Sequence, residues 1–505
     1  MNEATLPAPP HTGTTHTNTP HTGTALPDDL QTTRRNSRVI SLLLVSAFVV
    51  ILNETIMGVA LPKLMTDLQI PATSAQWLTT AFMLTMAVVI PITGYLLQRF
   101  NTRPIFVAAM TLFSLGTLIS ALAPGFEVLL IGRIVQASGT AIMMPLLMTT
   151  VMTLVPLASR GRTMGNIAIV MSVAPAIGPT ISGLILSVLD WRWMFWLVLP
   201  IAIGALILGA ARIENVTTPR KAPVDVLSVV LSAFAFGGLI YGLSTVGAPA
   251  TAGALPGWVP LALGAVSMVA FVVRQLVLQR TDRALLDLRT FTSSTFTVSI
   301  VMMFVSMMAL FGILIMLPIY LQTVLGLEPV ATGLLMLPGG LVMGLLGPVV
   351  GRLYDRVGPR VLLVPGSIIV SGVMWSMTLM TEHTPFAFVL IAHIALSVGL
   401  ALMFTPLFTA GLGAVRPALY SHGSAIVGTV QQLAGAVGTA LFVAVMSTQM
   451  VALKADGLSA TSATAGGIHS AFVCGAIISL FAVAASFFVK KPVVDPVHER
   501  VTDAH

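Results

Sequence analysis

Charge is scarce in this chain. Of its 505 residues only 9% are Asp, Glu, Lys or Arg, against about 25% in an ordinary soluble domain. So little charge excludes a water-solvated globule and assigns most of the exterior to lipid. Cysteine is scarcer still. Cys474 stands alone inside an apolar run, which excludes an intrachain disulfide and a thiolate metal site. No Gly-Lys dipeptide occurs, so there is no Walker A loop to hold a nucleotide. Gly-x-Ser-x-Gly and His-Glu-x-x-His are absent as well, which removes two common hydrolase signatures. The chain is therefore expected to be no enzyme and to carry no catalytic residue, cofactor or metal. A lone intramembrane acid without a ring-forming repeat does not suggest an ion-selective filter either.

What is present is apolar: 56% of residues are hydrophobic and the mean hydropathy is +0.95. A spanning helix needs roughly 20 such residues. Apolar segments run at about 39–62, 73–97, 104–123, 127–153, 163–187, 193–211, 225–246, 257–278, 294–321, 331–350, 361–380, 385–411, 422–447 and 467–489. The pattern predicts fourteen membrane helices. Residues 1–37 are rich in Thr, Pro and His, with a repeat beginning at His11, His16 and His21. Such a composition predicts a disordered, solvated tail. It is not a signal peptide, because the first apolar run starts too late.

Placement of the basic residues tests the count. With the N-terminus in the cytoplasm, 21 of the 25 Lys and Arg fall on the cytoplasmic side, as positive-inside topology demands. Lys63, Arg192 and Lys454 fall outside, and Arg133 alone lies deep in a segment. One helix more or fewer would invert every later loop and destroy this partition. The net charge of +7 therefore reads as topology, with a lipid bilayer and no nucleic acid as partner. Both termini are expected in the cytoplasm.

The chain also repeats itself. Gly94-Tyr-Leu-Leu-Gln98-Arg99-Phe-Asn-Thr-Arg103 returns as Gly351-Arg-Leu-Tyr-Asp355-Arg356-Val-Gly-Pro-Arg360, each copy read as a short basic turn between two spans. Leu130 to Gly139 parallels Leu390 to Gly399, and Gly165 onward parallels Gly423 onward. Segments 1–6 thus match segments 9–14, with segments 7 and 8 inserted. The expected parts are a tail over 1–37, a six-helix bundle over 38–212, two inserted helices with basic linkers over 213–293, a second six-helix bundle over 294–490, and a tail over 491–505. Two related halves with a site between them near the midplane is a transporter plan.

Four stretches resemble motifs of the major facilitator superfamily, specifically its fourteen-spanner drug:proton antiporters. They are Leu52-Asn53-Glu54-Thr55 to Pro62, Gly94 to Arg103, Arg133-Ile-Val-Gln136-Ala-Ser-Gly139, and Ala174-Pro175-Ala-Ile-Gly178-Pro179-Thr-Ile-Ser-Gly183. The resemblance covers about residues 38–490. Two positions depart from it. Asn53 stands where the family usually has Asp, with Glu54 beside it, and Gln98 stands where it has Asp, although the second copy keeps Asp355. The Asn-Glu-Thr variant with Gln98-Arg99-Phe100 is similar to the lincomycin-exporter branch. The resemblance implies a monomeric proton-coupled exporter of amphipathic drugs, such as lincosamides or cationic dyes, in a bacterial cytoplasmic membrane. A metabolite carrier is the alternative.

Candidate residues follow. Glu54 is the only acid deep in a membrane segment, and such a carboxylate is a functional candidate by default. It reads either as a proton carrier or as a structural carboxyl tied to segment 4. Arg133 lies at similar depth, about 9 Å against about 12 Å from the same membrane face by helical rise, so the two can form an ion pair. Arg133 serves either proton transfer or helix tethering. His393 occupies the pseudo-equivalent position and completes the proton-coupling candidates, with a hydrogen-bonded structural histidine as its alternative. Asn53, Gln76, Thr80, Met83, Gln136, Gln431 and Gln432 are candidates for a substrate cavity, with helix-to-helix hydrogen bonding as the alternative for Gln76, Thr80, Gln431 and Gln432, and the 27 methionines suit a wall that tolerates many shapes. Pro175, Gly178, Pro179 and Gly183 are expected to kink segment 5, which the resemblance identifies as an antiporter hinge. Gly94, Arg99, Arg103, Gly351, Asp355, Arg356 and Arg360 are candidates for a cytoplasmic gate, and Gln98 cannot act there as an anion.

Overall fold

A computed structural model describes residues 27–215, 219, 225–245 and 256–490. The described residues are helical throughout, with no strand. Fourteen long helices follow one another: α1 (Pro27–Asp67), α2 (Ala72–Arg99), α3 (Thr102–Ala121), α4 (Phe126–Leu154), α5 (Arg160–Val188), α6 (Trp193–Arg212), α7 (Val226–Thr245), α8 (Trp258–Leu278), α9 (Ser294–Ile319), α10 (Pro329–Val357), α11 (Arg360–Met377), α12 (Phe386–Gly413), α13 (Tyr420–Ala455) and α14 (Ala460–Ser486). Each is long and apolar enough to cross a bilayer. In lipid every backbone polar group must be satisfied within the protein, which makes a helix the natural form for these runs. An even number of crossings leaves the start of α1 and the end of α14 on one side, here called the terminal side.

Two expectations about boundaries change. Helix α1 begins at Pro27, inside the stretch expected to be a disordered tail. Proline suits a first helical position because its φ is preset and its missing N–H has no partner to lose. The rest of that tail, and the one after Lys490, lie outside the described residues. The repeated basic stretches are also mostly helix rather than turn. Gly94 to Arg99 closes α2 and Gly351 to Val357 closes α10, leaving two-residue links. Gly358 turns the second link with φ +81, a left-handed conformation that glycine adopts without strain.

Packing partners recur across the repeat. The pairs α1–α5, α2–α4, α3–α4, α3–α6 and α1–α6 reappear as α9–α13, α10–α12, α11–α12, α11–α14 and α9–α14. The inserted α7 and α8 pack on each other, and α7 lies against α2 and α13. The two sets of six meet chiefly through α5 with α10 and α2 with α13. At α5–α10 the backbones nearly touch: Gly161 abuts Gly351 and Gly165 abuts Gly347, with no room for a Cβ at any of the four. Small residues allow such an approach, where dispersion holds helices together in lipid.

These contacts are one-sided. The hydrogen bonds joining the two sets lie at the terminal side, and close α5–α10 approaches recur up to Ala176 against Gly340. Farther out, Gly183 and Gly333 have open space where a Cβ would stand, and α1 does not pack extensively on α9. The hydrogen bonds that hold the two sets together, and so close the molecule, are gathered at the terminal side.

Candidate functional site

Within the first six helices a polar chain is buried among apolar side chains. Arg133 of α4 is 1% exposed. Its Nη1 donates to Gln136 Oε1 at 2.6 Å and to Asn53 Oδ1 of α1 at 3.3 Å. Gln136 Nε2 donates to Thr117 Oγ1 of α3 at 2.7 Å, and Thr117 donates on to the Phe113 carbonyl at 2.7 Å. Arg133 and Gln136 are one helical turn apart and so share a face of α4. The guanidinium lies 4.1 Å from the Phe82 ring centroid of α2, a cation–π contact that strengthens as water is excluded. Four helices thus converge on one arginine.

Glu54 is not among its bonded partners. The carboxylate is only partly buried and, among the described residues, forms no ion pair. Glu54 and Arg133 nonetheless act on each other electrostatically. The expected Glu54–Arg133 ion pair is therefore replaced by an Asn53–Arg133 hydrogen bond, because the neutral neighbour is the one turned toward α4. Asn53 and Gln136, expected on a cavity wall, are buried inside this chain instead, at 3% and 0% exposure. Their side-chain oxygens are taken up by Arg133 Nη1, as buried polar atoms generally find partners.

Thr80 and Met83 of α2 and Gln431 and Gln432 of α13 are partly exposed, and Gln76 near the start of α2 is exposed. The three glutamines make no hydrogen bond among the described residues, so they tie no helices together there. His393 of α12 is nearly buried, its Nε2 sits 3.2 Å from the Met336 carbonyl of α10, and its ring packs on Gly339. It joins α12 to α10 within the second set of six and meets none of the Arg133 chain.

In α5, Pro175 and Pro179 interrupt the ladder of N–H donors. Gly178 presses on Thr55 of α1, whose hydroxyl reaches the Leu52 carbonyl at 2.9 Å and the Ala174 carbonyl at 3.5 Å. The residue after Glu54 thereby touches the proline-rich turn. Pro179 and Gly183 are exposed, beyond the approach of Ala176 to Gly340.

At the terminal side the two repeats act differently. Asp355 accepts the backbone N–H groups of Gly161 at 2.8 Å and Arg162 at 2.9 Å. It thus caps the start of α5 from across the gap, where the helix dipole favours an anion. Gln98 instead donates to the Ala418 carbonyl before α13, at 3.2 Å. Gly94 packs on Ala425 and Ser421 of α13. Arg160 binds the Val155 and Met152 carbonyls at the end of α4, at 3.0 and 2.9 Å, and reaches the Tyr420 hydroxyl of α13 at 3.2 Å. Arg103, Arg356 and Arg360 form no ion pair among the described residues; Arg103 donates its main-chain N–H to Asn215, and Arg360 lies over the Phe487 ring. The Asp355 contact across the gap reaches the backbone amides that open α5.

Sequence reading missed Thr117, Phe82 and Thr55 as partners. Nothing in their local pattern marks them, since each acts only through a helix remote in sequence. Asp225 with Arg274 was more accessible: opposite charges at the near ends of consecutive spans. Arg274 donates to both Asp225 oxygens, at 2.6 and 2.7 Å. That pairing and Ser228 hold the Asp225 carboxyl down at about 2.

Comparison with known proteins bears on this arrangement. The profile of the Major Facilitator Superfamily matches residues 43–439. The MFS-type transporter YcnB of Bacillus subtilis (strain 168) is 40% identical over 462 residues, covering 90% of this chain and 95% of that protein. The lincomycin resistance protein LmrB of the same organism is 38% identical over 460 residues, with 90% and 95% covered. Among solved structures, the human organic anion transporter MFSD10 superposes with a TM-score of 0.64 at 14% identity, covering 89% of this chain and 99% of that one.

Proposed function

The chain belongs to the major facilitator superfamily and is a multi-pass membrane transporter rather than an enzyme; we propose that it exports amphipathic drugs in exchange for protons. The observation that carries this reading is Glu54, a carboxylate in a spanning helix beside a buried arginine that is already engaged by neutral partners. Because Asn53 and Gln136 hold Arg133 Nη1 and no ion pair ties Glu54 to it, Glu54 can gain or lose a proton without breaking a salt bridge. The arginine then tunes the carboxylate through space instead of locking it. The likeness to a lincomycin resistance protein supports lincosamide-like or cationic amphipathic substrates, with Gln76, Thr80, Met83, Gln431 and Gln432 on the cavity wall.

In the proposed cycle the terminal side faces the cytoplasm of a bacterial cell and the carrier works as a monomer in the cytoplasmic membrane. In the outward-open form of that cycle, Glu54 takes up a proton as drug leaves. The halves then rock about the site, the proton is released inward, and a new drug molecule enters. The Thr55–Gly178 contact links Glu54 to the α5 hinge during that movement.

The test is drug accumulation in cells carrying the wild type or Glu54→Gln, with lincosamides and cationic dyes, with and without an uncoupler. Wild type should lower accumulation, and the uncoupler should abolish that effect. Glu54→Gln should accumulate drug as empty cells do. Export by Glu54→Gln equal to wild type across pH would end the proton role of this residue. Export insensitive to uncoupler would end proton coupling itself.

A further inference from the structure

The inserted helices hold a polar network that the transport cycle above does not use. Gln275 of α8 is fully buried. Its Nε2 donates to Ser228 Oγ of α7 at 2.8 Å, and its Oε1 accepts the main-chain N–H groups of Leu285 and Leu286 at 2.7 and 3.2 Å. Ser228 donates to Asp225, which Arg274 clamps. The strap over 279–293, between α8 and α9, is therefore pinned to the α7–α8 hairpin by its backbone. Within the strap Asp287 is 3% exposed, caps the Arg289 N–H at 2.9 Å and holds the Arg289 Nε at 2.9 and 3.0 Å.

This unit reaches the closed side of the molecule. His422, in the first turn of α13, is buried, and the Leu285 main chain and the charges of Asp287 and Arg289 lie near enough to act on its ring. Across the ring lies Gly94 of α2, where a Cβ would stand 3.4 Å from His422 Nδ1. One imidazole thus lies between the strap, whose charges act on it, and the opposite half, which it packs against. Helix α7 also packs on both α2 and α13. The hairpin spans the α2–α13 seam. The α5–α10 seam, which has Asp355, has no inserted helix beside it.

We propose that the α7–α8 hairpin and its 279–293 strap brace the α2–α13 seam through His422, in place of the anionic helix cap that Gln98 cannot provide. The proposal rests on the alternating-access reading, because the brace matters only if the seam opens. It assigns the inserted pair a conformational role: it raises the population of the form closed at the terminal side. The brace acts through backbone hydrogen bonds and packing, so it survives at salt concentrations that screen exposed charges.

The test measures the seam without any substrate. Nitroxide labels at positions 100 and 416, exposed in the links before α3 and α13, are placed in a Cys474→Ser background of the full chain in lipid. Pulsed electron resonance then gives the short-distance (closed) fraction. His422→Ala and Gln275→Leu should each reduce that fraction at least twofold, and adding Gln98→Asp should restore it in both. Asp287→Asn, a gentler change, should give a smaller shift in the same direction and serves if either first variant fails to elute as a monodisperse species. A closed fraction like wild type in folded Gln275→Leu or Asp287→Asn overturns the brace, even if His422→Ala opens the seam by local packing. Failure of Gln98→Asp to restore closure overturns the substitution for a missing cap. A wild type that shows one fixed distance under every pH and drug condition would instead count against alternating access.

Discussion

The two halves share a path of helices and differ in what those helices bury. In the first half, α1, α3 and α4 converge on Arg133 through Asn53, Gln136 and Thr117, with Phe82 of α2 over the guanidinium and Glu54 beside it. In the second half, the pseudo-equivalent position of α12 holds His393, which reaches one carbonyl of α10 and stops there. At the terminal side the order is reversed. The second half supplies the anion, Asp355, while the first offers Gln98. The backbone plan occurs twice, while the buried arginine chain lies in one half and the anion that caps a helix across the gap lies in the other.

The strongest way to break that contrast is a matched pair of substitutions. Glu54→Gln should reduce proton-driven efflux by roughly tenfold or more, as expected for removal of a functional intramembrane acid, whereas His393→Gln should keep efflux close to wild type. Flux in proteoliposomes with an imposed pH gradient measures both. Equal losses would mean that the halves share the chemistry. Next in size, Arg133→Met should orphan Asn53 and Gln136, each at a cost of about 1–3 kcal/mol. A lowered melting temperature in detergent checks this, with Arg133→Lys intermediate because a point charge cannot reproduce the planar fork.

Smaller effects belong to the clasp. Asp355→Asn removes an anion from the start of α5, worth about 0.3–2 kcal/mol in such positions, and should shift the carrier toward opening at the terminal side. Gln98→Leu should shift it less. Distance measurements across each seam rank the two, and a reversed ranking would place the principal clasp at α2–α13. The smallest effect is the acid dependence of the α7–α8 hairpin. Asp225 is held down at about 2 by Arg274 and Ser228, below the ordinary carboxylate value near 3.9. Its contribution is therefore complete above that ordinary value and fades as pH falls toward 2. Asp225→Asn should lower the melting temperature by a few degrees or less at pH 7, and the gap from wild type should narrow on acidification. A gap independent of pH would show that packing, not charge, links the two helices there.

Much of this was legible in the chain. Every predicted span has a helix in its place, because an apolar run of membrane length has few other ways to satisfy its backbone in lipid. The pairing of the halves was readable from Gly94 to Arg103 against Gly351 to Arg360. The site was legible as candidates but not as geometry. Arg133 and Glu54 stood out as charges at matching depth, and yet Asn53 is the residue that bonds the arginine. Adjacent residues on a helix differ by about 100° in direction, so depth alone does not say which one faces α4. Gln136 read as a cavity residue because a polar side chain in a span is expected to face water or substrate; here it faces Thr117 and the guanidinium. His422, Asp287 and Gln275 carried no signal at all, since each becomes informative only beside elements far away in sequence.

What the sequence by itself determined was the number of spans, their common side for the two ends, the duplication and its unequal copies. These depend on composition and periodicity, which are local properties summed along the chain. What only the tertiary structure decided was partnership: Asn53 with Arg133, Asp355 with the start of α5, and His422 between the strap and Gly94. Each of those contacts depends on how whole helices rotate and lean against one another, and rotation is set by the packing of many residues at once rather than by the few that end up touching.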